Sequence, residues 1–453
     1  MKSILKSILD IKNLKTLIKS HKLIISVYGL GNVGGPITAA WIKSGAKIIG
    51  VDVSQKLLKQ IKDGTSHKKE PYISEIFSNA LKKNCFSVTA DGIYASKNSN
   101  IKIIAVPVAL KKNKIELNAL LSATNSISKG LKKGDAVIIC PSLPPGTTET
   151  TVKNILEKNS KLKAERDFYL IYNPERIFEG RALADIEENY PAIVSGLGPK
   201  SLEFADKLLK IISKKGTIKM SSLANAEAEK LFEGVYRDVN IALANELADY
   251  CERVGVNYWD ARIGANSQPF CHLHYPGTGV GGLCIPVYPK FIIESSSKIG
   301  KNVKLIEYSR KINDSMPKKC VNDALSLLKN KVKGAKISVL GLGFRGEVED
   351  SRLSPTYDVV KELIKHGCKV IVHDPYIHED NNLPKKVKLT KDLSESILDA
   401  DLIFISSDHK IYSKLNKKSF SKSKKSPLIF DGRNILNKDN FKKDSLLTIG
   451  VRD

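Results

Sequence analysis

The chain has 453 residues, an apolar fraction of 42% and a formal net charge of +25 at pH 7. This length predicts two or three domains with full cores, and no apolar run approaches the ~20 residues of a membrane span. Most of the excess charge is lysine spread along the chain, which predicts a solvated surface and no specific nucleic-acid partner. Seven cysteines without a CxxC pair favour reduced thiols in a cytoplasm.

Residues 1–22 are predicted to form a basic helical extension. Apolar side chains recur at roughly helical spacing between residues 3 and 20, and lysines fill the other face. We expect this helix to pack on the body of the protein, without stable membrane insertion. Binding at a membrane surface is the alternative, because basic amphipathic helices can do either. The frequent lysines and the lack of a small-residue cleavage site argue against a signal peptide.

Residues 23–218 are predicted to form a Rossmann domain. Short apolar strands alternate with helical stretches, which is typical of a parallel sheet covered on both faces. The predicted strands are Leu23–Tyr28, Lys47–Val51, Ile101–Val106, Ala136–Cys140, Phe168–Tyr172 and Ala192–Val194, and the first helix is Pro36–Ser44.

A glycine-rich turn, Gly29–Gly34 (GLGNVG), follows the first strand and opens a helix. Gly29 permits the tight turn, Gly31 lets the backbone approach a pyrophosphate, and Gly34 lets helix and strand pack closely. Asp52 stands at the end of the next strand, where it would accept hydrogen bonds from the adenosine ribose. A carboxylate there repels a 2′-phosphate, so the predicted cofactor is NAD and not NADP.

Residues 219–330 are predicted to form a central helical and dimerisation domain, because strand character is lost over residues 222–265. Ala224–Gly255 has a long helical pattern, and residues 287–330 are again largely helical. A helical middle of this kind commonly connects two domains and carries a dimer contact. We therefore expect a homodimer or a higher homo-oligomer.

Residues 331–453 begin with an internal echo, because Ile337–Gly343 (ISVLGLG) repeats Ile25–Gly31 (ISVYGLG). The pattern predicts an α/β fold of two doubly wound Rossmann-like domains joined by a central helical region. Acidic residues follow Gly346 and disfavour a pyrophosphate, so this domain is expected to serve the other ligand. Its predicted elements are the helix Tyr357–His366 and the strands Lys369–His373, Leu402–Ser406 and Leu428–Phe430.

Cys284 ends a second glycine-rich run, Pro276–Leu283 (PGTGVGGL). A dinucleotide oxidant and a presented thiol in one chain suggest covalent oxidation, in which a thiolate captures the carbonyl made from an alcohol. The glycines allow close backbone approach, and a helix starting just after Cys284 would favour the thiolate. A small buried thiol is the alternative.

Five motifs, in this order, resemble those of the UDP-sugar 6-dehydrogenases, most closely the branch acting on UDP-N-acetylhexosamines such as UDP-N-acetylmannosamine and UDP-N-acetylglucosamine. The resemblance runs from about Leu23 to Asp453. It implies oxidation of the sugar C6 alcohol to a carboxylate with two NAD. The motifs are Leu143–Glu149 (LPPGTTE), Asn173–Arg176 (NPER), Tyr236–Ala242 (YRDVNIA), Gly279–Cys284 (GVGGLC) and Asp350–Pro355 (DSRLSP).

The resemblance implies roles for the matching residues. Cys284 would be the nucleophile that holds a thiohemiacetal and then a thioester. Lys230 would stabilise oxyanions, Glu175 would act on water or a proton, and Asn240 would lie near the active site. The implied cofactor-binding residues are Gly29, Gly31, Asn32, Val33, Gly34, Asp52, Val106, Pro107, Ser142 and Arg352. The implied substrate-binding residues are Arg176, Gly279, Gly281, Phe344 and Arg345, and no metal is implied.

These polar assignments have structural alternatives. Lys230 is otherwise a solvated helix lysine, and Glu175 an exposed loop carboxylate. Arg345 and Arg352 are otherwise members of surface ion pairs of little consequence.

Four departures from the family pattern concern the site. Tyr288 stands where an aspartate is usual, Gly234 where an asparagine is usual, and Leu283 where a histidine is common. Gln268–Phe270 (QPF) replaces a stretch in which an arginine is expected. Because a neutral tyrosine cannot replace a carboxylate and Gly234 removes an amide, capture and hydrolysis at Cys284 should be slower.

Three functions stay open from the sequence. The first is a four-electron dehydrogenase that tolerates these changes. The second is an NAD-dependent enzyme that stops after alcohol oxidation or returns the hydride, such as an epimerase. The third is a non-catalytic homologue that binds NAD or a nucleotide sugar. In each case we expect the UDP part of the ligand at the C-terminal domain and the site in the cleft between the two α/β domains.

Overall fold

The computed structural model describes residues 11–66, 70–111 and 114–451. It consists of two compact units, Met1–Phe232 and Glu233–Asp453, each of which is described by itself. The first ten residues of the predicted N-terminal extension lie outside the described residues.

The first unit alternates strands and helices. Its helices are α1 (Ile11–Lys19), α2 (Gly34–Lys43), α3 (Gln55–Lys62), α4 (Ile73–Lys82), α5 (Gly92–Lys97), α6 (Asn118–Ser128), α7 (Lys153–Ser160), α8 (Ala182–Ala184) and α9 (Pro199–Leu209), with π-helical turns at Thr148–Val152 and Asp185–Asn189. Its strands are β1 (Ile24–Tyr28), β2 (Lys47–Val51), β3 (Phe86–Thr89), β4 (Ile101–Ile104), β5 (Ala109–Lys111), β6 (Lys114–Glu116), β7 (Ala136–Ile139), β8 (Tyr169–Tyr172), β9 (Ala192–Gly196) and β10 (Thr217–Lys219).

One eight-stranded sheet organises this unit, in the order β10-β9-β8-β7-β4-β1-β2-β3. Neighbouring strands are parallel except β8 and β9, which are antiparallel. Every residue of β4 and β7 is buried, as expected for short apolar strands covered by helices on both faces. The strand order reverses between β1 and β4, which creates a crevice at the carboxyl ends of these strands.

The described part of the N-terminal extension is a packed helix. Leu14 and Ile18 of α1 are fully buried in the core of the first unit, while Lys12, Lys15 and Lys19 are exposed. Its apolar face is therefore covered by protein at Leu14 and Ile18, while Ile11 at the start of the helix is exposed. Among the helices of the described ranges, none combines the length and the apolar character needed to cross a bilayer.

An ion pair is buried at the base of the first sheet. Lys102 of β4 and Asp135, just before β7, are 0% and 2% exposed. The Lys102 ammonium donates to the Asp135 carboxylate and, at 2.7 Å, to the Ser99 carbonyl. Desolvation lowers the pKa of Lys102, and the charge of Asp135 opposes that shift. Each charge therefore depends on the other to remain inside the domain.

The second unit begins within the longest helix, α10 (Leu223–Val254). The other helices are α11 (Tyr258–Ala265), α12 (Tyr288–Lys298), α13 (Lys304–Ser326), α14 (Thr356–Lys365) and α15 (Leu393–Ile397). The strands are β11 (Lys336–Leu340), β12 (Lys369–His373), β13 (Lys388–Thr390), β14 (Leu402–Ile405), β15 (Leu428–Asp431) and β16 (Leu446–Thr448). They form a parallel six-stranded sheet in the order β13-β12-β11-β14-β15-β16. The predicted second doubly wound domain is confirmed.

Removing one charge of the buried pair should destabilise the first unit. We expect Asp135→Asn to lower its free energy of unfolding by about 3 kcal/mol, because the Lys102 ammonium then lacks a counter-charge. Adding Lys102→Met should recover most of that loss. The measurement is denaturant unfolding followed by Trp41 fluorescence in a Trp259→Phe background. Asp358→Asn, which removes one charge of an exposed pair with Lys361, is the control. An equal loss of unfolding free energy in Asp135→Asn and in the double variant would contradict the expectation.

Candidate functional site

The cofactor residues predicted in the first unit meet at one edge of its sheet. The turn Gly29–Gly34 follows β1, Asp52 follows β2, Val106–Pro107 follows β4, and Ser142 follows β7. These four strands are adjacent and parallel, so their carboxyl ends lie side by side. Arg352, the remaining predicted cofactor residue, belongs to the second unit.

The glycines of this turn have different steric surroundings. Gly29 has a φ of +89°, and a Cβ there would lie 2.8 Å from the Ala105 carbonyl oxygen. A Cβ on Gly34, where α2 begins, would lie 1.7 Å from the Gly29 carbonyl oxygen. A Cβ on Gly31 would meet nothing within 4 Å. The turn is thus tightly packed at both ends and open at Gly31, which fits a pyrophosphate approaching the N-terminus of α2.

Asp52 is held in a fixed orientation by backbone amides. The N–H of Leu30 donates to one carboxylate oxygen at 2.9 Å, and the N–H of Ser54 donates to the other at 2.9 Å. Each oxygen keeps a further lone pair for a ribose hydroxyl. The geometry therefore fits the adenosine end of NAD, with a negative charge where NADP would carry its extra phosphate.

The echo of this turn in the second unit is closed by its own side chains. Asp374, which follows β12, accepts hydrogen bonds from the N–H groups of Leu342 at 2.8 Å and Gly343 at 2.9 Å. The N–H of Gly346 donates to Asp408 at 2.8 Å, and a Cβ on Gly346 would lie 2.3 Å from the Asp408 carbonyl oxygen. The backbone N–H groups that would face a pyrophosphate at this turn therefore already donate to side chains of the protein. This supports the prediction that the second domain serves another ligand.

Glu175 and Lys230 interact electrostatically within the first unit. Glu175 follows β8 and accepts a hydrogen bond from the N–H of Ile177 at 2.7 Å. Burial raises the pKa of Glu175 to about 7, while the charge of Lys230 on α10 opposes the shift. A carboxyl group with this pKa can exchange a proton near neutral pH. The structure therefore brings these two predicted residues together, and their catalytic roles stay predictions.

Glu227 is a further buried carboxyl group, which the sequence analysis missed. It accepts hydrogen bonds from the N–H of Thr148 at 2.8 Å, from the Thr148 hydroxyl at 2.6 Å, and from the N–H of Gly146. Burial raises the pKa of Glu227 to about 7, and the bonds from Thr148 oppose this shift. Glu227 fastens the first turns of α10 to the Leu143–Glu149 motif. Glu227 lies three residues before Lys230, so both are on one face of the helix. This spacing is the feature of the sequence that could have identified Glu227 as a site residue.

Arg176, a predicted substrate contact, is fixed by contacts within the first unit. Its guanidinium donates to the Pro191 carbonyl, stacks over the Tyr190 ring at 4.9 Å from the centroid, and lies 3.9 Å from a Glu229 oxygen. The Tyr190 hydroxyl donates to the Arg176 carbonyl. These contacts position the Asn173–Arg176 motif, and contact with substrate stays a prediction.

Cys284 is exposed on a turn of the second unit. Its carbonyl accepts a hydrogen bond from the N–H of Tyr288 at 2.9 Å, where α12 begins, so the helix predicted after the thiol is present. The Tyr288 hydroxyl donates to the Cys284 sulfur at 3.3 Å. Burial lowers the pKa of Arg237 on α10, and its interaction with Cys284 opposes that shift. Arg237 was part of a recognised motif but had been given no role.

The glycine loop before the thiol packs directly on another backbone segment. Gly279 has a φ of +135°, and a Cβ there would lie 2.7 Å from the Cβ of Pro355. A Cβ on Gly281 would lie 2.5 Å from the Cβ of Phe344 and 2.8 Å from the Leu353 carbonyl oxygen. Only glycine permits this approach. Three of the predicted substrate residues are therefore together, and Arg345 is next along the chain.

Arg352 also lies on the segment beside the thiol loop. Its carbonyl accepts a hydrogen bond from the N–H of Gly282 at 2.9 Å. Its side chain pairs with the buried Asp350, with Nε donating at 2.7 Å. Arg352 thus forms an ion pair, although with a buried partner and not the surface pair of the alternative, and its predicted contact with the cofactor stays a prediction.

A buried polar network fixes the glycine loop from the other side. Asp238 of α10 accepts hydrogen bonds from Arg310 and, at 2.9 Å, from Asn313, both on α13. Asn313 accepts from Asn245 at 3.0 Å, and Asn245 in turn accepts from the N–H of Gly277 at 2.9 Å. All four residues are 4% exposed or less. The network therefore connects two helices to the start of the loop.

Asn240, the remaining predicted catalytic residue, forms a side-chain hydrogen bond within α10. Its amide nitrogen donates to the Tyr236 carbonyl at 2.7 Å, and its role stays a prediction. Within the ranges that the structure describes, no group of three or more His, Cys, Asp or Glu side chains is arranged to hold a metal ion.

Comparison with known families gives one match for each part of the chain. Residues 23–213 match the NAD binding domain of the UDP-glucose/GDP-mannose dehydrogenase family. Residues 224–315 match its central domain, and residues 338–438 match its UDP binding domain. The predicted cofactor, NAD, is confirmed by the first of these matches.

Individual relatives cover nearly the whole chain. UDP-N-acetyl-D-mannosamine dehydrogenase of Methanococcus vannielii is 34% identical over 428 residues, which are 92% of this chain and 94% of that protein. The structure of the UDP-D-ManNAc dehydrogenase of Pyrococcus horikoshii has a TM-score of 0.86 at 32% identity, covering 94% of this chain and 99% of that one. An NDP-N-acetyl-D-galactosaminuronic acid dehydrogenase of Methanosarcina mazei Go1 has a TM-score of 0.81 at 31% identity, covering 97% and 98%.

These matches confirm the predicted fold class and the resemblance to nucleotide-sugar dehydrogenases. The glycine turn with Asp52 lies in the part matched to the NAD binding domain, and Arg345 lies in the part matched to the UDP binding domain. With identity above 30% over more than nine-tenths of its length, the chain belongs to the UDP-glucose/GDP-mannose dehydrogenase family.

Proposed function

We propose that the chain oxidises the C6 alcohol of a UDP-N-acetylhexosamine to the uronic acid with NAD, through a thioester on Cys284. The observation that carries this proposal is the exposed Cys284 sulfur at the end of a glycine loop, in a chain with an NAD binding domain. The sulfur accepts a hydrogen bond from Tyr288 and interacts electrostatically with Arg237. Relatives named for UDP-N-acetyl-D-mannosamine make UDP-N-acetylmannosamine the first substrate to assay.

Covalent capture explains how one site can carry out two successive oxidations. NAD supplies the hydride acceptor, so two NAD and one water are consumed for each alcohol converted to a carboxylate, with release of two NADH and three protons. The Cys284 thiolate would add to the aldehyde carbon and hold it as a thiohemiacetal, then as a thioester. Water would then release the carboxylate and restore the thiol.

Two polar groups of the first unit are suited to the proton and charge changes of this reaction. Glu175, with its pKa raised to about 7 by burial, is proposed to accept a proton from the sugar hydroxyl or from water. Lys230 is proposed to stabilise the oxyanion with its ammonium group. Their electrostatic interaction keeps the two groups in one neighbourhood.

The segment that packs on the thiol loop is proposed to bind the nucleotide part of the substrate. Phe344 contacts the loop at Gly281 and Gly282, and Arg345 follows it directly. A guanidinium is well suited to a diphosphate because its donors match pairs of phosphate oxygens. The match of residues 338–438 to a UDP binding domain supports this assignment.

We further propose that the chain forms a homodimer through one face of α10. Tyr236, Leu243 and Tyr250 are 52%, 42% and 59% exposed, and their seven-residue spacing places them on one face of the helix. Leu243→Glu together with Tyr250→Glu should convert the protein to a monomer in sedimentation velocity. Tyr94→Glu, at an exposed site in the first unit, should leave the assembly unchanged. A wild-type monomer would refute this interface.

The seven free cysteines are compatible with the predicted reducing cytoplasm, which we retain as the proposed location.

The thioester route predicts the products of a Cys284→Ser variant. The wild-type protein should form two NADH for each UDP-sugar consumed, whereas Cys284→Ser should form no uronic acid, because serine is a far weaker nucleophile. NADH absorbance and mass analysis of the sugar product measure both. Cys85→Ser, at a partly buried cysteine of the first unit, is the control.

Other outcomes of this assay identify the alternative functions. Unchanged NADH production by Cys284→Ser would exclude the covalent route. An isomerised sugar without net NADH would indicate an enzyme that returns the hydride. Stabilisation by NAD or the UDP-sugar without any turnover would indicate a binding protein.

The raised pKa of Glu175 predicts a pH dependence. Below about pH 7 the carboxyl group is protonated and cannot accept a proton, so kcat/KM should fall as the pH decreases through that value. Glu175→Gln should lower the rate about 100-fold and abolish this acidic limb. Glu188→Gln, at an exposed site, should leave the fall of kcat/KM at acidic pH unchanged. An acidic limb that persists in Glu175→Gln would assign the titration to another group.

A further inference from the structure

The two unusual residues near the thiol, Gly234 and Tyr288, lie against each other. A Cβ on Gly234 would lie 2.5 Å from Cδ2 of Tyr288 and 3.1 Å from its Cβ and Cγ. Gly234 is inside α10, where glycine costs about 1 kcal/mol of helix stability relative to alanine. Glycine at position 234 is therefore explained by the space that the Tyr288 ring needs, although glycine is unfavourable within a helix. Gly234 and Tyr288, two of the departures from the family pattern, are therefore joined by one packing contact.

The Tyr288 ring is buried, and its hydroxyl reaches the exposed sulfur. Tyr288 is 8% exposed at the start of α12, and its ring lies 6.3 Å from that of Phe291, centroid to centroid. The packing against Gly234 and Phe291 restricts the directions in which the hydroxyl can point. In the direction observed, the hydroxyl donates to the Cys284 sulfur at 3.3 Å.

We propose that Tyr288 is the hydrogen-bond partner that holds and stabilises the Cys284 thiolate, and that Gly234 is required to admit its ring. A phenol donates a hydrogen bond without bringing a negative charge, whereas a carboxylate at this place would repel the thiolate. Arg237 acts on the same sulfur with its positive charge. The catalytic consequence of this pairing rests on the proposed function, while the pairing itself is a property of the protein alone.

Thiol reactivity tests the hydrogen bond without substrate or cofactor. Cys284 alkylation by iodoacetamide is measured against pH by mass analysis of the peptide that contains it. Tyr288→Phe should move the midpoint of this profile upward by about one pH unit, because a hydrogen bond to an ionised group is lost. Tyr94→Phe, at an exposed tyrosine, should leave it unchanged. A Tyr288→Phe profile that superposes on the wild-type profile would overturn the proposed hydrogen bond.

A kinetic measurement separates this proposal from the proposed function. Tyr288→Phe should lower kcat about tenfold with little change in KM, because the phenyl ring keeps the packing while the thiolate loses a donor. If Tyr288→Phe shifts the alkylation profile but Cys284→Ser still produces the acid, the hydrogen bond stands and the thioester route fails.

A double-mutant cycle tests the steric pairing. Gly234→Ala should lower Tm by about 3 °C or more when Tyr288 is present, although alanine is the better helix former. In a Tyr288→Ala background the same change should cost nothing or raise Tm. Gly264→Ala in α11, where a Cβ would meet nothing within 4 Å, is the control in both backgrounds. An equal effect of Gly234→Ala in the two backgrounds would refute the pairing.

Discussion

The glycine loop that presents Cys284 depends on a charge buried beneath it. Asp238 is fully buried, and desolvation raises its pKa, while the charge of Arg310 and the hydrogen bonds from Asn313 and Arg310 oppose that shift. The same asparagine orients Asn245, which accepts the N–H of Gly277 at the start of the loop. The backbone of the loop is therefore anchored before the thiol is reached. Gly279 and Gly281 have no side chains that would keep the segment from Phe344 to Pro355 away from the loop. A rigid, exposed sulfur follows from these two constraints together.

The two Rossmann-like units show how one sequence pattern leads to different sites. Both carry a strand followed by GLG, and both have an aspartate after the next strand. In the first unit Asp52 accepts the N–H of Leu30 and leaves the surroundings of Gly31 open. In the second, Asp374 accepts two successive amides of the turn. The difference lies in which backbone donors remain for a ligand, and the glycines alone do not reveal it.

The succession of strands and helices could be predicted from the sequence because it follows from the spacing of apolar residues. β2 and β12 begin and end at the predicted residues, and the other predicted strands differ by a few residues at their ends. The edge strands β10, β13 and β16 have three residues each, too few for a pattern to be recognised. The site was partly predictable through motifs, but the environment of Glu175 and the role of Arg237 depend on contacts between residues distant in sequence. Gly234 and Tyr288 were interpreted as two losses for the same reason, since their contact exists only in the folded chain.

The close fit of Tyr288 over Gly234 also constrains how this sequence can change over time. A side chain at position 234 is destabilising while the aromatic ring occupies that space, because its first carbon would overlap the ring unless the ring shifts. The ring, by contrast, can be replaced by a smaller group while the glycine remains. Mutational paths toward an asparagine and aspartate pair therefore have a preferred order, with position 288 changing first. A local packing contact in this way gives the evolution of the site a direction.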